Sequence, residues 1–193
     1  MKRTSVHVKP RASLCTATYE AASTVEVWSL CSLGSTCTET KRVDMKEVLK
    51  YPDTFLRQKS HIVMLPLSEQ DRELIEDMCL TMYKENGIGL AAVQIGYLKR
   101  ICVLDISPSR ANPIVMINPI VKDKSEETLT MEEGCLSAPG KVGKVKRHLR
   151  ITVNYWCKWQ EEHEKTFYDL HAQVIQHELD HMDGKLCIDY DKN

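Results

Sequence analysis

His177, Glu178 and His181, within Gln176-His177-Glu178-Leu179-Asp180-His181, are the residues whose types and spacing could do chemistry. On a helix, residues four apart lie one above the other, so His177 and His181 can grip one metal ion from a single face. Glu178 stands beside the first histidine, close enough to take a proton from water bound to that metal. His-Glu-x-x-His is a metal-hydrolase signature with a mechanism behind it. Two imidazoles do not complete a ligand set. The leading third candidate is Cys135, in Glu133-Gly134-Cys135-Leu136-Ser137. Gly134 allows close backbone approach, and a thiolate is a strong ligand for zinc or ferrous iron. Two histidines and one thiolate leave a fourth tetrahedral position for water. Cys187, Cys157 and His171 are weaker alternatives. Six residues turn a helix by about 240°, so His171 faces away from His177. Asp180 can orient the ligands from behind by pairing with Arg147.

These residues need elements to position them. Ser68 with Asp71 reads as a capping box, and Leu74, Ile75, Met78 and Met82 recur at helical spacing until Asn86-Gly87 stops the run. Ile101–Ile106, Ile114–Ile117, Thr128–Met131 and Ile151–Cys157 read as strands. A last helix, from about Tyr168 to Asp183, carries the metal motif and ends at Gly184. The pattern predicts an α+β fold: short antiparallel or mixed strands around a central metal-binding helix, with a second helix toward the N-terminal side. Lys141, Lys144, Lys146 and Arg147 read as a solvated loop, with a nascent-chain or ribosome contact as the alternative.

The 193-residue chain suits one domain, and its 42% hydrophobic content can fill one core. A net charge of -1 gives no reason to propose a nucleic-acid or membrane surface. The eight cysteines follow no compact framework spacing, so they read as reduced, with Cys79, Cys102, Cys157 and Cys187 as core fillers. Composition breaks near residue 44. Residues 1–44 read as a leader, either transit-like or upstream of a true start at Met45, and residues 45–193 as the catalytic domain. The location implied is cytoplasmic, or a chloroplast or mitochondrion if residues 1–44 act as a transit peptide.

Gly87-Ile88-Gly89-Leu90-Ala91-Ala92-Val93-Gln94 is the third informative stretch. Taken in order with Glu133–Ser137 and Gln176–His181, it resembles the three signature motifs of the peptide deformylases. Tyr51-Pro52-Asp53 and Leu56-Arg57 resemble the amino-terminal segment of that family. The resemblance covers Met45 to Tyr190. It implies a metal-dependent hydrolase that removes formate from the N-formylmethionine of newly made polypeptides. It also implies Cys135, His177 and His181 as ligands to Fe(II), for which Zn(II), Ni(II) or Co(II) can substitute. Glu178 would be the general base and acid, and Gln94 with the Leu136 N–H would hold the carbonyl oxygen. Gly89, Glu133 and Gly134 would bind substrate, and Ile88, Met131 and Val174 would suit a methionine pocket. Partners implied are N-formylmethionyl nascent peptides and, transiently, the ribosome.

Some features depart from the family pattern. Ala138 precedes Pro139 where a bulkier apolar residue is usual, His171 and Gln173 are polar in an otherwise apolar helix, and no long carboxy-terminal helix follows Tyr190 to dock on a ribosome. Two other classes fit less well. A zinc endopeptidase would draw a third ligand from His or Glu after His181, and none follows. A His₂Cys copper carrier would need neither Glu178 nor Gln94.

Overall fold

The structure, a computed structural model, describes residues 45–192. The leader reading of residues 1–44 therefore lies outside the described residues. Two α-helices, α1 (Glu69–Lys84) and α2 (Asp169–Met182), accompany seven strands: β1 (Gly89–Ala91), β2 (Ile101–Leu104), β3 (Ile114–Lys124), β4 (Thr128–Gly134), β5 (Val142–His148), β6 (Arg150–Trp156) and β7 (Glu162–Tyr168). Short 3-10 turns cover Thr54–Arg57, Ala92–Ile95 and Cys187–Lys192. One sheet runs β1-β2-β3-β6-β7 and a second pairs β4 with β5, with every strand pair antiparallel.

α1 begins where expected. The Ser68 side chain accepts from the Asp71 N–H while Asp71 reaches back to the Ser68 N–H, closing the capping box. Asn86, in the left-handed region at φ 55°, ends the run. Its inward stripe of Leu74, Ile75, Met78 and Met82 is buried.

β2 is buried along its whole length because the large sheet has a helix on each face. Ile101 and Val103 point into a core shared with Leu74, Met78 and Met82 of α1. Cys102 and Leu104 point the other way, into a core with Ala172, Ile175 and Met182 of α2. The period-2 alternation of a strand thus divides one apolar run between two cores.

The sequence reading was incomplete in places. β3 continues to Lys124, past a register shift between Ile117 and Ile120. Pro119 has no N–H to give there, and the Asn118 amide instead pairs with the Val63 main chain, accepting at 2.8 Å and donating at 2.8 Å. β5 and β7 were not anticipated, and β1 was expected only from the family resemblance, as a strand edge near Gly89. The basic run is corrected as well: it is strand β5, with Lys144 and Lys146 outward and Arg147 buried. No helix among the described residues is long and apolar enough to cross a membrane.

Asp105, buried at the end of β2, gathers the following loop onto α1. It accepts from the Tyr83 hydroxyl (2.7 Å), the Ser107 N–H (2.8 Å) and hydroxyl (2.6 Å), and the Asn112 N–H (2.9 Å). Burial alone would raise this carboxyl, but those donors outweigh it and hold it down at about 2. Tyr83→Phe is expected to lower stability by about 2 kcal/mol at neutral pH, as loss of a hydrogen bond to an ionised acceptor. A depressed pKa stabilises above the ordinary carboxylate range and loses that contribution as pH falls through the folded value. The gap between wild type and variant in urea melts should therefore narrow between about pH 4 and pH 2. A gap that stays constant over that interval would remove Tyr83 as a partner of the ionised Asp105.

Candidate active site

α2 places its chemistry on the face that also fills the core. Glu178 and His181 are buried in the same stripe as Ala172, Ile175 and Met182. Gln176 docks the helix on β5, its amide accepting from the His148 N–H (3.1 Å) and donating to the His148 carbonyl (2.9 Å). Gly184, at φ +74°, turns the chain away at the helix end.

Cys135, in the turn after β4, meets the two histidines. Its Sγ lies 3.2 Å from His181 Nε2, which lies 3.1 Å from His177 Nε2. His177 Nδ1 donates to Glu133 Oε2 (2.9 Å), which orients the ring and turns its Nε2 toward the other two atoms. Burial, and then His177, hold His181 well below the ordinary histidine range, so His181 is neutral, whereas at His177 burial is outweighed by the Glu133 carboxylate, which raises it. The neighbouring Cys187 and burial both push the Cys135 thiol up. A cation between the three atoms would hold that sulfur as a thiolate and displace the proton that favours His177. The donor set of one sulfur and two imidazoles fits zinc or ferrous iron. His171 is not in this trio and lies tilted beside Phe167 instead, with ring centroids 6.3 Å apart.

The carboxylate of Glu133 is directed inward. Arg147 grips it bidentately at 2.8 Å through Nε and Nη2, and Nη1 of the same arginine reaches Asp180 Oδ2 at 2.6 Å. Burial would raise Glu133, yet Arg147 and His177 bring it to about 2, keeping it ionised behind the histidine. What Glu133 can offer a substrate is thus its main chain. The Arg147–Asp180 pairing matches the sequence reading.

A cavity of about 780 Å³ opens over these groups. Ile88, Gly89, Met131, Gly134, Leu136 and Val174 line it, together with Gln94, His177 and Glu178, while His181 lies buried beneath. Burial pushes Glu178 up to about 7, where a carboxyl can both take and give a proton. Its Oε2 is buried without a partner among the described residues. Gly89 leaves room for it, because a Cβ there would stand 2.3 Å from Glu178 Oε1 and push the carboxyl aside. Gln94 Oε1 accepts from the Ala91 N–H (2.8 Å), which fixes the amide and turns Nε2 toward Cys135 Sγ (3.7 Å) and Ser137 Oγ (3.2 Å).

Sequence reasoning missed two contributions. The Leu49 N–H donates to the Gln94 carbonyl (2.7 Å) and the Tyr51 N–H to the Ser137 carbonyl (2.7 Å), joining the Gln94 segment to the Cys135 segment. Main-chain contacts of this kind leave no mark on residue types. Gln173 lines the cavity and donates to Glu133 Oε1 (3.3 Å). Its polarity in an apolar stretch was the available signal.

The model of a family described as Polypeptide deformylase matches residues 45–193. The peptide deformylase of Rickettsia canadensis (strain McKiel) is 44% identical over 150 residues, spanning 74% of this chain and 85% of that protein. That of Pseudoalteromonas translucida (strain TAC 125) is 46% identical over 144 residues, spanning 75% and 85%. Among solved structures, a peptide deformylase from Legionella pneumophila superimposes with a TM-score of 0.72 at 38% identity, covering 76% of this chain and 85% of its own. A Met-Ala-Ser-bound class I type b enzyme from Acinetobacter baumannii gives 0.71 at 30% identity, covering 77% and 99%.

Removing the Arg147 side chain strips two carboxylates of their cation, so Arg147→Ala is expected to lower stability by about 3–5 kcal/mol. Glu133→Gln keeps the shape but weakens the acceptor that orients His177. Metal affinity should fall roughly 10- to 100-fold, read by retention against a chelator in protein still folded by circular dichroism. Unchanged retention would deny Glu133 that orienting role.

Proposed function

This chain belongs to the polypeptide deformylase family, and on that premise we propose how its own residues carry the family reaction. The enzyme removes the formyl group from the N-terminal N-formylmethionine of nascent polypeptides. The family is metal-dependent. We assign Cys135, His177 and His181 as the ligands and Fe(II) as the ion, with Zn(II), Ni(II) or Co(II) able to replace it. The observation that carries this reading is the convergence of those three donor atoms beside a buried carboxyl raised to about 7.

A divalent ion, when bound there, supplies Lewis acidity that brings the pKa of a ligated water from about 15.7 toward neutrality. Glu178 takes the proton of the attacking water and afterwards delivers it to the leaving amine nitrogen. Gln94 Nε2 and the Leu136 N–H hold the oxygen of the formyl carbonyl as negative charge develops on it. Each donor of this kind is typically worth about 3 kcal/mol in the transition state. β1 is an edge strand with only β2 beside it, so its outer side at Gly89 can pair with an extended peptide. Ile88, Met131 and Val174 offer an apolar seat for the methionine side chain, and Glu133 and Gly134 line the same cavity. The Met-Ala-Ser held by the Acinetobacter baumannii relative supports a tripeptide-sized occupant.

We take residues 45–193 as the catalytic domain and residues 1–44 as a leader. The reaction would run in the cytoplasm, or in an organelle if that leader directs import. A ribosome contact, where it occurs, would be transient and bring the cavity to the emerging amino terminus.

The test is formate release from formyl-Met-Ala-Ser by iron-loaded protein prepared without oxygen. Glu178→Ala should keep its metal and lose activity by at least about 10²- to 10⁴-fold. Cys135→Ala should lose the metal itself. Substantial turnover by Glu178→Ala would displace Glu178 as the proton carrier.

A further inference from the structure

Two trios of metal-ligating side chains occur among the described residues, and only one belongs to the active site. The other is Cys157, Glu161 and His163, whose ligand atoms all lie within 4.8 Å of one another. We propose that the β6–β7 hairpin carries a second, non-catalytic site for a divalent ion of the zinc class, held by Cys157, Glu161 and His163.

The hairpin builds this arrangement by register. Tyr155 on β6 faces His163 on β7, and Trp156 faces Glu162. The next opposed pair is Cys157 with Glu161, whose main chains are joined by the Cys157 N–H to the Glu161 carbonyl at 2.9 Å. Alternation along a strand puts residues 155 and 157 on one face, and residues 161 and 163 on the same face of the partner. Thiol, carboxylate and imidazole therefore leave one side of one hairpin end. His163 is held by stacking on Tyr155, with ring centroids 5.6 Å apart, and its Nε2 lies 3.8 Å from Glu161 Oε2.

The turn itself is anchored. Gln160 sits at φ 63°, and its N–H closes the turn on the Cys157 carbonyl at 2.9 Å. Its side chain accepts from the Leu67 N–H at 2.8 Å, tying the tip to the segment that enters α1. The backbone under the trio is thus fixed before any ion arrives.

One thiolate, one imidazole and one carboxylate form a set that suits zinc, cobalt or nickel, and magnesium or calcium far less. Tetrahedral zinc places neighbouring ligand atoms roughly 3.5 Å apart. Glu161 and His163 are exposed and Cys157 is half-buried, so rotation of the two outer side chains closes the remaining gap. The open side gives an entry path and a fourth position for water. None of the three lines the catalytic cavity.

The test uses the full chain without an affinity tag, its active site already loaded, equilibrated with zinc and then desalted. Elemental analysis should give one more ion per chain in the wild type than in Cys157→Ser or His163→Ala. Formate release should be the same in all three. Cobalt supplies a second readout, because Trp156 adjoins Cys157 and Trp159 lies in the turn. Co(II) should quench tryptophan emission in the wild type and quench it less in both variants. Equal metal content and equal quenching in wild type and variants, all folded by circular dichroism, would overturn the proposal. That result would leave the active-site reading untouched, since the catalytic ligands are separate residues.

Discussion

Arg147 is a full charge withdrawn from water, and its burial is tolerable only because Glu133 and Asp180 close on it from two sides. The same low-dielectric surroundings strengthen each of those contacts. Four parts of the chain meet in this cluster: β4 through Glu133, β5 through Arg147, α2 through Asp180, and the last 3-10 turn through Tyr190, whose hydroxyl donates to Asp180 at 2.8 Å. His177 completes it by donating to Glu133. The position of the His177 ring is thereby set by an ion cluster that it touches through Nδ1.

The two helices divide the work. α1 packs an apolar stripe against one face of the large sheet and is chiefly core. α2 fills the other face while burying Glu178 and His181 in the same stripe. Polar groups in a core are costly unless partnered, and here the partners are chemical rather than structural. β1 runs so close to α2 that a side chain at Gly89 would have to displace Glu178 and Val174.

The legible parts of the fold were those with a strong local signal. The capping box and methionine stripe of α1, the helix of the His-Glu-x-x-His motif and the apolar run of β2 all follow from residue types within a few positions. The strands left unread lack that signal. β7 buries only Phe167 among charged neighbours, as an edge strand does, and β5 turns Gly143, Val145 and Arg147 inward, a set that no hydrophobic alternation reveals. β1 is three residues long and exists because β2 pairs with it. At the site, the histidines and Glu178 could be derived from helical spacing. Cys135 needed the chemistry of the third ligand, and Gln94 and Leu136 rested on family likeness. Reading Cys187 as a filler was right about its burial but not about its neighbour, since the 3-10 turn after α2 brings it against Cys135. Such contacts depend on tertiary path and have no local periodicity.

α2 lies against β1, β2, β5, β6 and β7, all of which precede it in the chain. During synthesis all the strands that this helix will cover are therefore made before the helix itself, and the glycine, glutamine and cysteine segments wait for the histidines. An enzyme whose substrates are chains still being made is, by this order of assembly, unable to complete its own fold until α2 has been translated.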